Sequence, residues 1–178
     1  MNVKNSARLS FALMSRDDAD LLYELDQDKD VMRYVNGGVI TTREYLSDVL
    51  LPRMHAYRNE AEGWGLWKVL ITETNQFIGW VLVRPMNFFN DVPEIDNIEM
   101  GWRFKRESWG NGYATEAAMS IKVAIRDQGR AKKISAIAFE ANTPSIKIML
   151  KLGLNYIKTD IHQDPLGNHE LVFYELDI

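Results

Sequence analysis

The chain has no cysteine. That absence excludes disulfides, a thiolate nucleophile and every zinc site built with thiolates. Histidine is scarce, with three in 178 residues. Two of them, His162 and His169, flank a turn-rich segment without matched acids, so no metal site is expected. An excess of basic residues is also lacking. The net charge is −4, which argues against a dedicated nucleic-acid binder. No stretch approaches the ~20 apolar residues of a membrane span, and Met1 to Ser10 carries no apolar run of the kind a signal peptide needs. A cytoplasmic chain with no membrane partner is expected. Internal repeats, low-complexity tracts and linkers are absent as well, so residues 1–178 read as a single domain. What is present is ordinary for a globular protein: 46% hydrophobic and 26% charged residues. A chain of this length buries roughly 70% of the surface its unfolded form exposes, so its core needs no staples.

Hydrophobic periodicity divides the chain into elements. Arg8 to Met14 alternates and predicts a strand. Ser15 followed by Arg16-Asp17-Asp18 has the form of a helix start, and Ala19, Leu22 and Tyr23 continue it to about Gln27. Thr41 or Thr42 caps a second helix with Tyr45, Leu46, Val49 and Leu50 on one face. Pro52 is expected to kink or divide that helix. From Gly65 the period becomes two. Leu66 to Thr72 and Phe77 to Val83 read as a hairpin around Thr74-Asn75-Gln76. Pro85 to Pro93 reads as a loop carrying Met86, Phe88 and Phe89. Strands are predicted over Ile95 to Phe104, Lys133 to Phe139, Asn155 to Ile161 and His169 to Leu176. Between the later strands, Ala114, Ala117, Ala118, Ile121, Ala124 and Ile125 form one stripe of a helix over Tyr113 to Gln128, with Gly129 as its stop. Pro144 to Leu152 is a second such helix, with Thr143 as the expected N-cap and Gly153 as the stop. The order implies a mixed α/β sheet, antiparallel first and βαβ-like later.

The most informative stretch is Asn97 to Ala118, N-I-E-M-G-W-R-F-K-R-E-S-W-G-N-G-Y-A-T-E-A-A. A strand leads into a glycine-rich turn, and the turn opens directly into an amphipathic helix. Gly110 and Gly112 let backbone approach a ligand closely, and the free N–H groups of the helix start favour an anion such as a pyrophosphate. The dinucleotide fingerprint and the Walker pattern both fit poorly here. The segment W-G-N-G-Y-A-T-E-A instead resembles the pyrophosphate-binding segment of GNAT (Gcn5-related N-acetyltransferase) enzymes, Gln/Arg-x-x-Gly-x-Gly/Ala, with Trp109 in the Gln/Arg place. That departure is similar to the ribosomal-protein N-acetyltransferase (Rim-type) branch. Two further blocks agree: A-N-T-P-S-I-K-I-M-L-K-L-G-L from Ala141 to Leu154, and D-K-D-V-M-R-Y-V-N-G-G from Asp28 to Gly38.

The resemblance implies a GNAT-like fold of about seven mostly antiparallel strands with a central parallel pair, flanked by about four helices. It implies an N-acetyltransferase that moves acetyl from acetyl-CoA to an amine acceptor, either a protein N-terminal amine or a small molecule, by direct transfer in a ternary complex. It also suggests a homodimer. The runner-up is an acyl-CoA-binding module of the same fold without turnover. Cofactor contacts are expected from Met100 and Trp102 on the splayed strand, where Gly101 is read as a bulge, from Trp109, Gly110, Asn111, Gly112, Tyr113, Ala114 and Thr115 in the turn, and from Asn142 and Ser145. Glu99 is the candidate base, with Asp96 and Glu140 as alternatives. Ser145 is the candidate proton donor to the departing thiolate, because Met149 stands where the family frequently has a tyrosine. Lys132-Lys133 and Lys147-Lys151 read first as solvated charges and second as contacts for an outer phosphate.

Overall fold

The computed structural model describes all 178 residues. Seven strands form one sheet: β1 Leu9–Leu13, β2 Gly65–Ile71, β3 Phe77–Met86, β4 Glu94–Phe104, β5 Lys133–Ala138, β6 Asn155–His162 and β7 His169–Asp177. Their order across the sheet is β1-β2-β3-β4-β5-β7-β6. Every neighbouring pair is antiparallel except β4 and β5. The helices are α1 Ala19–Leu25, α2 Lys29–Asn36, α3 Arg43–Tyr45, α4 Leu51–Tyr57, α5 Tyr113–Gln128 and α6 Thr143–Lys151. A π turn over Leu46–Leu50 joins α3 to α4, so the six segments make five rods, one more than expected.

Alternation along β4 explains how the sheet is covered. Ile98 and Met100 face the helix pair α5 and α6, where Ala117, Ala118, Ile121, Ile125, Met149 and Leu152 complete the larger core. On the opposite face Leu22, Leu25, Leu46, Met54 and Tyr57 pack on Leu66, Phe77 and Leu82. Beyond them lies a smaller group, Met86, Leu171 and Phe173. Ala117 and Ala118 of α5 lie fully buried, and their small size lets the helix backbone approach the sheet.

Two local expectations are corrected, the absence of a helix after Asp28 and the length of the 85–93 loop, and two are refined. The unforeseen helix α2 is capped by Asp28, whose carboxylate accepts from the Asp30 N–H, and it ends on Gly37 in the left-handed region. Thr42 caps α3 by accepting from the Tyr45 N–H; Thr41 is buried instead and donates to Asp26 at 2.9 Å. Pro52 divides the helix, as expected: α4 starts at Leu51 with the proline in its first turn, and the α pattern before it gives way to the π turn. Its ring would press on the carbonyl four residues back in an α-helix, and the π turn just before it, where the Leu51 N–H reaches Leu46, relieves that crowding. The expected 85–93 loop is shorter, because β3 continues to Met86, which pairs with Glu94 across a register shift.

Candidate acyl-transfer site

The glycine-rich turn lies beyond the C-terminal end of β4. A 3-10 turn over Arg106–Ser108 leads into it, and Gly112 enters α5 with φ 77°, a left-handed conformation. Gly110 has the same φ of 77°. The first α5 bond runs from the Glu116 N–H to the Gly112 carbonyl. The N–H groups of Gly110, Asn111 and Gly112 have no acceptor in the protein, and those of Tyr113, Ala114 and Thr115 precede the first helical bond. A row of six backbone donors therefore faces outward at the positive end of a 16-residue helix. Side chains of the turn hold its shape. Trp109 donates its indole N–H to the Phe104 carbonyl at 2.9 Å, and the Asn111 amide donates to the Ser108 and Trp109 carbonyls. The only acid of the first α5 turn, Glu116, is drawn away by its partners. Partial burial opposes ionisation, yet hydrogen bonds from Ser6 and Arg8 hold its carboxyl below the usual range.

The parallel pair opens toward this turn. The β4–β5 ladder matches Asn97 with Lys133, Ile98 with Ile134 and Glu99 with Ser135, and stops there. Past that point β4 stays on β3 to Phe104 and β5 stays on β7 to Ala138. Met100 to Phe104 thus face Ala136 to Ala138 without a ladder between them. No bulge opens the strands: Gly101 sits in register with Leu82, and a Cβ there would meet Leu82 at an ordinary 3.6 Å. Trp102 belongs to this unladdered stretch. Its buried indole N–H has no partner in the protein, an uncommon state for a buried donor and one that suits a ligand carbonyl. Such a wedge, with amide donors at its mouth, fits a chain of amides ending in a pyrophosphate.

At the C-terminal end of β5, Asn142 caps α6 in place of Thr143, its carbonyl oxygen accepting from the Ser145 N–H at 3.3 Å. Its amide nitrogen and the half-buried Ser145 hydroxyl have no hydrogen-bond partner in the protein. Met149 is 1% exposed within the larger core, so that position faces the sheet. Lys132 and Lys133 stand at the other end of the parallel pair, bound to Asp96 at 2.8 Å and Glu175 at 2.7 Å. Asp96 is exposed there, its carboxyl lowered by the Lys132 hydrogen bond. Glu140 is exposed in the turn after β5. Neither acid is brought to Glu99.

Glu99 lies on the face opposite α5, buried, with Arg84 directly across the β3–β4 ladder. Arg84 grips both carboxylate oxygens, Nε to Oε2 at 2.8 Å and Nη2 to Oε1 at 3.2 Å. Its guanidinium also lies 5.5 Å from the ring centroids of Tyr57 and Phe89. The Tyr57 hydroxyl is pushed up to about 12 by burial. Above them Arg53 of α4 lies 3.7 Å from the Phe89 ring centroid and forms an ion pair with Asp164 of the β6–β7 turn. His162, at the end of β6, is buried beside the Phe173 ring. Burial lowers its imidazole, Glu99 and Asp164 oppose that, and Arg84 and Arg53 add to it. Of these residues Glu99 stands out in the sequence as a candidate base and His162 only as a discounted metal ligand; Arg84 and Tyr57 were missed. For Arg84 a signal exists: it is the lone charge in F-I-G-W-V-L-V-R-P-M.

A splayed parallel pair closed by an anion-binding helix start defines a class of acyl-CoA-binding folds. The comparisons agree with that class. Residues 8–155 match the family described as acetyltransferase (GNAT) domain. The chain is 33% identical over 148 residues to the uncharacterized protein YkkB of Bacillus subtilis (strain 168), covering 81% of this chain and 79% of that one. It is 27% identical over 158 residues to FsC-acetyl coenzyme A-N(2)-transacetylase of Aspergillus fumigatus, covering 87% and 66%. The structure of RimL, a ribosomal L7/L12 alpha-N-protein acetyltransferase in complex with coenzyme A, shares the fold with a TM-score of 0.75 at 11% identity, covering 99% of this chain and 97% of that one. The chain belongs to the GNAT acetyltransferase family and is an acyltransferase.

Proposed function

We propose that the chain transfers acetyl from acetyl-CoA to a primary amine, at a protein N-terminus or on a small molecule, by direct attack in a ternary complex. The observation that carries this reading is the row of outward backbone N–H groups at Gly110 to Thr115, standing at the mouth of the β4–β5 wedge. The pyrophosphate rests on that row. The pantetheine arm lies along Met100 to Trp102, near the free amide of Asn142. The thioester carbonyl is polarised by a β4 backbone N–H near Met100.

The amine arrives protonated, since such groups titrate near ~8 to ~10, and must lose a proton before it attacks. Glu99 takes it, directly or through water. A carboxylate has about four lone-pair sites, and the Arg84 fork uses one on each oxygen, which leaves acceptor capacity on both. The amine nitrogen then bonds to the carbonyl carbon and the carbon–sulfur bond breaks; the Ser145 hydroxyl passes its proton to the thiolate and takes in its place the second proton the nitrogen sheds as it becomes an amide, while Glu99 returns the first proton to water. With no cysteine in the chain, no thioester relay on the enzyme intervenes.

The test is calorimetric titration of the purified protein with acetyl-CoA, with ATP and NAD as controls, followed by detection of free CoA with a panel of amines. Micromolar binding of acetyl-CoA alone and amine-dependent CoA release are expected. Binding without CoA release from any amine would favour the second reading, an acyl-CoA-binding module, which the core placement of Met149 supports. No binding by a folded sample would remove both.

A further inference from the structure

The family pattern puts a Gln or Arg in the pyrophosphate turn, and here that place holds Trp109, whose indole N–H is committed to the Phe104 carbonyl. From Glu107 to Thr115 the turn contains no cationic side chain. The two cations just before it point elsewhere: Lys105 binds Glu24 at 2.6 Å and Arg106 binds Asp28 at 2.8 Å. Another cation does reach the turn from a distant part of the chain. Arg8, just before β1, lays its guanidinium 4.5 Å from the Tyr113 ring centroid. Its Nη2 lies 3.8 Å from where a Cβ on Gly112 would sit. Glu116 holds it from one side, taking Nε at 2.8 Å and Nη2 at 2.5 Å on the same oxygen. The other Glu116 oxygen is taken by the Ser6 hydroxyl at 2.7 Å and the Arg8 N–H at 3.1 Å. Nη1 has no partner in the protein, and the side chain is 47% exposed.

We propose that Arg8 is a cofactor-binding residue, supplying from the N-terminal segment the cationic contact to the pyrophosphate that the turn itself lacks. This inference rests on the reading that the turn holds acetyl-CoA. Glu116 is then a positioning residue. It anchors the guanidinium through one edge and leaves the Nη1 edge for an anion seated on the Gly112 to Ala114 N–H groups. The ring of Tyr113 fixes the plane of that fork. An arginine suits the task because its planar donors can serve a carboxylate and a phosphate at once.

The experiment is calorimetry of the full chain with CoA and with 3′-dephospho-CoA, for wild type, R8Q, R8A and E116Q. R8Q keeps a polar side chain of similar reach without the charge, and melting curves establish that each variant is folded. R8Q and R8A are expected to weaken both ligands about tenfold or more, the scale of a lost charge-assisted hydrogen bond. E116Q keeps the Arg8 charge but loosens its anchor, and is expected to weaken CoA binding by clearly less than R8Q does. Unchanged CoA affinity in folded R8Q overturns the proposal. So does a loss seen with CoA but not with 3′-dephospho-CoA, which would put the contact on the outer phosphate. An E116Q loss as large as that of R8Q would make the pair a structural brace. Failure of the wild type to bind CoA would strike the functional reading itself.

Discussion

At the scale of single residues, Glu99 and Arg84 cannot be changed independently. Removing one member of a buried ion pair strands the other charge, at a cost of about 3–5 kcal/mol. Glu99→Gln alone will therefore lower both stability and turnover, and turnover alone would not separate the causes. Pairing it with Arg84→Met separates them. The double variant is expected to melt close to wild type while its kcat stays reduced about a hundredfold or more, the scale of a lost general base. Full activity in the double variant would remove Glu99 from catalysis. Ser145→Ala leaves the α6 cap intact, because the Asn142 carbonyl accepts from the Ser145 backbone. A fall of about tenfold or more in kcat with acetyl-CoA affinity unchanged is expected if its hydroxyl serves the thiolate, and steady-state kinetics will read it. Glu99 was legible in the sequence as an acid at the centre of the predicted strand, on the face opposite Ile98, Met100 and Trp102 by simple alternation. Its partner was less so, because pairing across strands depends on register, and register is set by turns and packing rather than by either strand alone.

At the scale of elements, the turn into α5 depends on backbone more than on side chains. Gly112→Ala has open space around it, with Arg8 at 3.8 Å, so its cost comes from the left-handed φ of 77°. A loss of about 1–2 kcal/mol is expected, together with weaker CoA binding; denaturant melts and calorimetry measure the two. The amphipathic helices α5 and α6 were legible because their apolar stripes run about three turns in α5 and about two in α6 and are followed by glycines. The rod from α3 to α4 was only half legible: its cap could be read, but the π turn that accommodates Pro52 has no sequence signature of its own. Helix α2 was missed because K-D-V-M-R-Y-V-N is only eight residues long, about two turns, and Tyr34 leaves helical geometry within it. The strand splay was expected from family resemblance, and its bulge was misplaced because a glycine in a strand has several uses.

At the scale of the whole molecule, distant segments converge on the sheet face around Glu99. The Arg53–Asp164 pair ties α4 to the β6–β7 turn, and His162 sits beneath it among Arg84, Glu99, Arg53 and Asp164. Because burial holds the His162 imidazole below its ordinary ~6.5, the unfolded chain binds that proton first as the pH falls. Its contribution to stability is therefore complete above about 6.5 and declines as the pH drops from there toward the folded value. His162→Gln should flatten that part of the melting-temperature profile between about pH 7 and 5. A profile as steep as wild type would mean that other groups carry it. Such convergence was not legible in sequence, since Arg53, Arg84, Glu99, His162 and Asp164 come from five separate elements or turns. The open amides from Gly110 to Thr115 carry one more consequence, in the time domain. Without strand or helix acceptors they should exchange with deuterium almost as fast as an unfolded chain, even though the segment adjoins the core. Acetyl-CoA bound on that row should slow them together, and neighbouring α5 amides much less. Isotope uptake in this single peptide would then report how long the donor substrate stays, before any acceptor is known.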